Sequence, residues 1–247
     1  MDLNFSKVVR LFMIFDILGD TQRTGPLLWQ IERNRLEDVK NHILDLLLIA
    51  RFLRKHLPEN IDFNKICDYI ICHDLPEAIT GDITKFEGVS DEEIKRVTKL
   101  AIDYLANEFD DVLDFSTILN NYENRVDIES KIVHMIDKVH SSTTFIKYQS
   151  EKNIDMDDPR IIPNLRNHPF VVKKIAEGKD LADIFFEFHS LALEIKDEEC
   201  VKYKISRGEG NQIVAVIKAF ANEFYSQKLN GILLNVKKRF SYRRNEI

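Results

Sequence analysis

The chain reads as an all-α protein, and three observations predict it. Apolar residues recur at helical spacing through most of the 247 residues. No stretch of useful length alternates apolar and polar residues with the two-residue period of a strand. The periodic runs are separated by Gly, Pro and N-capping residues, the usual stops and starts of helices. At 44% hydrophobic and 31% charged residues, the chain is ample for one domain with a full core, or a domain plus an appendage.

In chain order, residues 3–18 place Val8, Leu11, Phe12 and Phe15 at helical steps and form a first helix that Gly19 ends. Residues 19–39 are a polar segment punctuated by Gly and Pro, with Arg23, Arg33 and Arg35. A guanidinium in such a loop can grip a phosphate through two parallel hydrogen bonds, although most loop arginines are solvated cations. Residues 38–56 make the second helix, its buried side set by Val39, Ile43, Leu46, Leu47, Ala50 and Leu53. His42 lies at the edge of that stripe, where a histidine is more often a satisfied core residue than a ligand.

Pro58 breaks the chain, and Ile61–Asp74 is the third helix, through Ile66, Tyr69 and Ile70. A fourth helix opens at Ser90, which with Glu93 matches a capping box, and Asp91, Glu92 and Glu93 complement the positive end of its dipole. Residues 107–127 are acidic and polar, a loop or short helices. Residues 127–149 form a fifth helix with Ile132, Ile136, Val139 and Phe145 as inward candidates. Asp137 interrupts that face, and a carboxylate among core residues is costly unless paired or metal-bound. Three prolines make 151–170 loop-like, a lid or dimer arm. Helical periodicity returns over 179–199 and 209–234, and the basic end 236–247 reads as a solvated tail.

Net charge of −6 argues against a general nucleic-acid-binding surface. Cys67, Cys72 and Cys200 are too few and scattered for a disulfide framework or a zinc knuckle; Cys67 and Cys72 lie on the apolar helix leading to His73 and read as buried free thiols. The N-terminus carries Asp2 and no signal-peptide cleavage pattern, and no apolar run approaches transmembrane length. The expectation is a cytoplasmic protein without membrane partners.

The functional signal is densest in residues 70–82. His73 and Asp74 offer an imidazole and a carboxylate, a mixed N/O pair suited to a manganese-, iron- or cobalt-type ion. Pro76 cannot continue the helix and disfavours helical geometry at Leu75, so the chain turns directly after the pair and aims Glu77 back across the site. Gly81 permits a second sharp turn that places Asp82 at the rim. A His-Asp dipeptide alone is as easily a capped helix end. With His42 on one helix, His73-Asp74 closing the next and Asp137 on a later one, four ligands leave positions on an octahedral ion for water and a substrate oxygen. His134 and His140 flank Asp137 by three residues each, so either can face the same pocket; His56, His168 and His189 read as surface or packing residues.

In His73-Asp74-Leu75-Pro76-Glu77 followed by Gly81-Asp82, with His42 upstream and Asp137-Lys138 downstream, the chain resembles the HD-domain phosphohydrolase superfamily over roughly residues 5–150. Within it, the chain looks closest to the 5′-deoxynucleotidase branch. The resemblance implies an HD helical bundle at residues 1–150; residues 151–247 lie beyond it and are expected to form a C-terminal helical extension packing on that core. It implies one divalent ion (Mn, Co, Fe, Mg or Zn) on His42, His73, Asp74 and Asp137. It further implies Arg23 on the phosphate, with Arg33 a competitor, Glu77 in acid/base work or water orientation, and Asp82 assisting or binding the sugar. Asp82, Thr84 and Lys85 would lie near the nucleotide. The implied activity is hydrolysis of nucleoside (deoxy)monophosphates or similar small phosphate monoesters; separately, the expected assembly is a homodimer. An HD-type phosphodiesterase, a nucleotide triphosphate hydrolase and a non-catalytic regulatory protein are the alternatives. Two positions depart from the pattern. Asn41 stands where the family has an acidic residue before the first metal histidine, which alters a supporting contact. Thr24 follows the phosphate arginine where bacterial members have Trp, and the only Trp is Trp29.

Overall fold

The computed structural model describes residues 5–31, 36–151 and 157–229, and the regular elements among them are all helical. They run in the order α1 (Phe5–Ile17), α2 (Thr24–Leu28), α3 (Val39–Leu53), α4 (Phe63–Cys72), α5 (Glu77–Thr80), α6 (Asp91–Phe109) and α7 (Phe115–Glu123). The order continues with α8 (Ile128–Glu151), α9 (Pro163–Arg166), α10 (Pro169–Ala176), α11 (Leu181–Ser190), α12 (Asp197–Tyr203) and α13 (Arg207–Leu229).

Helix starts follow the capping residues. The Asp38 carboxylate accepts from Asn41 N at the head of α3, and Asp62 accepts from Asn64 N and Lys65 N at the head of α4. Ser90 Oγ accepts from Glu93 N, but the reciprocal half of the expected capping box is missing because the Glu93 carboxylate pairs with Arg96 instead. The third helix is shorter than Ile61–Asp74 because Asp62 caps it on one side and the His73–Pro76 turn closes it on the other. Residues 107–127 resolve into the end of α6 and the short α7.

Two of the three prolines in 151–170 open helices rather than mark loop: Pro163 and Pro169 occupy the first turns of α9 and α10. A missing N–H costs nothing there. The periodicity over 179–199 is broken after Ser190, and α12 begins only at Asp197. Arg33, Arg35 and the basic segment 236–247 lie outside the described residues.

The centre of the fold is α3, α4 and α8, each in contact with the other two. Val39, Ile43, Leu46, Ile49, Ala50 and Leu53 of α3 meet Ile66, Tyr69 and Ile70 of α4 and Ile132, Val133, Ile136 and Val139 of α8 in one buried core. Leu47, expected inside, is half-buried at the edge of that core. The later helices share it: Ile213, Ile217 and Ala221 of α13 join the same cluster, and both α11 and α13 pack along α8. A second apolar cluster gathers Leu28, Trp29 and Ile31 from the α2 region, Phe145 and Tyr148 from the end of α8, and Ile184 and Phe185 from α11. No helix among the described residues is long and apolar enough to cross a membrane.

Candidate metal centre

Each of the three central helices delivers ligand-type side chains to one point. On α3, His42 takes a core position of the apolar stripe rather than its edge, and is fully buried. α4 ends at Cys72, so His73 caps it and Asp74 enters the turn that precedes Pro76. On α8, Asp137 breaks the apolar face between Ile136 and Val139 and is buried with them. His42 Nε2 lies 3.4 Å from Asp137 Oδ1 and 3.5 Å from Asp74 Oδ2, and His73 Nε2 lies 3.3 Å from Asp74 Oδ2.

The orientation of both imidazoles suits a cation. His73 Nδ1 is 2.8 Å from the Ile70 carbonyl oxygen, which can only accept, so Nδ1 carries a proton and the neutral ring has its lone pair on Nε2. Nε2 of His42 and Nε2 of His73 are both buried without a hydrogen-bond partner. Two inward nitrogens without partners, beside two carboxylates, form a donor set that a divalent ion would satisfy. His42, His73 and Asp137 form a group that could hold a metal ion. Cys72, close in sequence, is not one of that group, and burial pushes its thiol up to about 12.

Arg23 supplies the facing positive charge. The peptide around it is clipped to the head of α3: Arg23 N donates to Glu37 O at 3.0 Å and Val39 N to Thr21 O at 2.9 Å, around an antiparallel bridge between Gln22 and Asp38. Its guanidinium lies 3.3 Å from Asp74, 3.9 Å from Asp82 and 4.0 Å from Asp137. Burial works against its charge, but Asp82, Asp74, Glu77 and Asp137 outweigh that and raise its pKa. Asp82 anchors this loop, accepting from Thr24 N at 2.7 Å while its carbonyl takes the Thr24 hydroxyl.

The carboxylates divide by environment. Burial opposes ionisation at Asp137, yet Lys138, His42 and Arg23 hold it well below the usual carboxylate range. Asp74 is likewise lowered, by His73, His42 and Arg23 against its burial. Glu77 is raised well above the usual range by burial and then by Asp74 and Asp82, and its Oε2 is buried without a partner. Burial also raises Asp82, with Arg23 opposing. His42 is lowered to about 3, by burial and then by Arg23, so its imidazole is neutral and available as a ligand.

A cavity of about 580 Å³ opens beside this cluster. Its lining includes the polar side chains of Arg23, Asp82, Thr84 and Lys138 and the aromatic rings of Trp29, Phe145, Phe185 and Phe188. The rings of Phe145 and Phe185 stack at 4.2 Å, and Trp29 meets Phe185 edge-on at 4.7 Å. Thr84 Oγ1 is buried here without a partner.

Of the residues singled out from sequence, His42, His73, Asp74, Asp137, Arg23, Glu77 and Asp82 converge, and Thr84 sits at the cavity wall; the Lys85 side chain lies outside what the structure describes. His140 faces His42, whereas His134 stacks on Tyr122 at 4.1 Å. His189 is more than a packing residue, since it lines the cavity. Sequence reasoning missed Glu37 and Asp45, which flank His140, and no local signal marks them.

A sequence profile described as "HD domain" matches residues 15–165. A Xenopus laevis protein named 5′-deoxynucleotidase HDDC2 is 27% identical over 131 residues, 51% of this chain and 62% of that protein, so the match spans less than two thirds of the relative. A Schizosaccharomyces pombe protein named 5′-deoxynucleotidase hdd1 is 24% identical over 164 residues, 63% of this chain and 80% of the relative. Among solved structures, a predicted metal-dependent phosphohydrolase from Magnetospirillum magnetotacticum aligns over 90% of this chain and 93% of its own, with TM-score 0.54 and 13% identity. A conserved hypothetical protein from Pyrococcus furiosus covers 69% of this chain and 97% of its own, with TM-score 0.51 and 20% identity. At these identities the two structures speak to the fold alone.

Proposed function

The chain belongs to the HD domain family, and on that premise we propose that it is a metal-dependent phosphohydrolase. Its substrates in this reading are nucleoside (deoxy)monophosphates or similar small phosphate monoesters. One observation carries the reading: two partnerless histidine nitrogens and two carboxylates converge under a buried arginine, beside an aromatic-lined cavity. The names of the frog and yeast relatives support the nucleotide class.

His42, His73, Asp74 and Asp137 would hold one divalent ion of the Mn, Co, Fe, Mg or Zn type. Such an ion polarises a phosphoryl oxygen and lowers the pKa of water. Arg23, kept charged by the surrounding carboxylates, binds the phosphate oxygens and neutralises charge that builds on them. Glu77, whose pKa is raised by burial and then by Asp74 and Asp82, is suited to give a proton to the departing sugar oxygen. Asp82 fixes the Arg23 loop through Thr24, and Thr84 offers its hydroxyl to the part of the substrate beyond the phosphate. The aromatic lining accepts a flat, largely apolar group such as a base. Residues 1–150 would act as the HD core, with 151–247 as an extension that supplies the Phe185–Phe188 wall.

The reading extends to assembly and place. Phe5, Phe12 and Met13 on α1 and Phe52 on α3 are all more than 60% exposed, and a homodimer in this reading would cover such residues. A cytoplasmic location and the absence of nucleic-acid partners remain part of the proposal.

Phosphate release from a panel of nucleoside mono-, di- and triphosphates, using metal-stripped protein with Mn, Co, Mg or Zn restored, is the test. Release from monophosphates alone, lost in Glu77→Ala, is expected. Stoichiometric metal with no release from any of them would sink the reading.

A further inference from the structure

Metal-ligating histidines need their second nitrogen fixed, because an imidazole that carries its proton on the wrong side cannot ligate. His73 meets this need through the Ile70 carbonyl. His42 has no such carbonyl. Its Nδ1 lies 2.9 Å from Nδ1 of His140, with both rings buried. That contact accommodates one proton: two lone pairs or two N–H groups facing each other at this distance would repel. Geometry between the two rings alone does not say which of them donates.

The far side of His140 decides it. His140 Nε2 lies 3.3 Å from Asp45 Oδ2, in hydrogen-bond geometry, and 3.4 Å from Glu37 Oε1. Glu37 is buried and Asp45 about half exposed, so one of the two acceptors is shielded from water. With Asp45 Oδ2 in hydrogen-bond geometry as an acceptor, Nε2 of His140 carries the hydrogen of that contact. A neutral His140 then has its lone pair on Nδ1, His42 must donate from Nδ1, and the lone pair of His42 lies on Nε2, toward Asp74 and Asp137. That nitrogen is one of those buried without a partner.

We propose that His140, backed by Glu37 and Asp45, is a positioning residue that locks His42 in the tautomer able to ligate the metal. The inference rests on the metal role proposed above for His42. It also accounts for Asn41. The acidic residue expected before the first metal histidine is absent, and Asn41 instead donates to Asp38 at the head of α3. Support for His42 arrives through a second imidazole on α8, which is backed by Glu37 from the turn before α3 and by Asp45 from α3 itself.

The same three groups, Glu37, His42 and His140, could instead hold a cation of their own, and the experiment separates the two. Histidine tautomers are read by two-bond nitrogen–proton NMR on metal-free protein, and Mn and Co affinity and stoichiometry by calorimetry, with the visible spectrum of the Co form. The wild type should show His42 protonated on Nδ1 and bind one ion. His140→Phe should weaken metal binding about 10- to 100-fold and change the Co spectrum while keeping its melting temperature. His140→Asn, whose side-chain oxygen can accept at the Nδ1 position, should recover part of the affinity. Glu37→Gln with Asp45→Asn should leave His42 in mixed tautomers, which keeps the test open if His140→Phe misfolds. The proposal is overturned by a wild-type His42 protonated on Nε2 or by unchanged affinity and spectrum in His140→Phe. A second ion lost in the Glu37/Asp45 variant would overturn it too. Absence of any bound ion, with His42 still protonated on Nδ1, would remove the metal reading and leave the tautomer lock standing.

Discussion

His134 lies one helical turn before Asp137, yet it packs on Tyr122 and its Nε2 contacts the Tyr122 carbonyl at 3.1 Å. Burial lowers its pKa from the model-peptide value of 6.5 to about 4. A histidine with a depressed folded-state pKa stabilises the fold fully above its unfolded pKa, and the contribution drains away as pH falls from 6.5 toward 4. The loss is at most about 3–4 kcal/mol, from roughly 1.4 kcal/mol per pKa unit. Urea midpoints at several pH values should therefore fall more steeply for the wild type than for His134→Phe between those limits; parallel slopes would refute it. At this scale the sequence was readable where chemistry is local. Pro76 forces the turn after His73-Asp74, and an Asp in an apolar stripe announces a partner. Glu37 and Asp45 were not readable, because what gives them meaning is His140, with Asp45 lying 95 residues from it in the chain.

Among the elements, α11 joins the two chemistries of the cavity. Its Phe185 is locked between Phe145 and Trp29, while Phe188, less buried, faces the cavity. Phe185→Ala should cost about 3–5 kcal/mol of stability, as for other core aromatics. Phe188→Ala should spare the fold and raise KM for a nucleotide roughly tenfold, the worth of about 1.4 kcal/mol of ring contact. For a small alkyl phosphate that never reaches the ring, KM should be unchanged. Equal effects on both substrates, measured by steady-state kinetics, would remove Phe188 from the binding surface. Periodicity announced α11 but not its neighbours' limits. The run over 179–199 stays apolar through Leu191, Leu193 and Ile195, which are 70%, 2% and 1% exposed. Two of these serve the core without being helical, and composition cannot tell that from a continued helix.

Across the whole molecule, the partnerless nitrogens and crowded carboxylates of the centre are a liability that a cation would relieve. Metal at about 100 times its Kd should add about 2.7 kcal/mol. For a chain of this length that is a rise of roughly 5–10 °C in Tm. Calorimetry with and without a chelator checks this, and His73→Ala should abolish the difference. The helical class and the central three-helix arrangement follow from apolar periodicity, which is a local property repeated along the chain. What periodicity hides is that α8 has two packed flanks. One closes on α3 and α4; the other is covered by α11 and α13. This has a consequence for synthesis. His42 and His73 leave the ribosome early and Asp137 follows, but the outer flank of α8 is only part-covered, by α11, until α13 has emerged. A nascent chain stalled before α13 would hold every proposed ligand and still expose an apolar ridge, making it a natural client for chaperones.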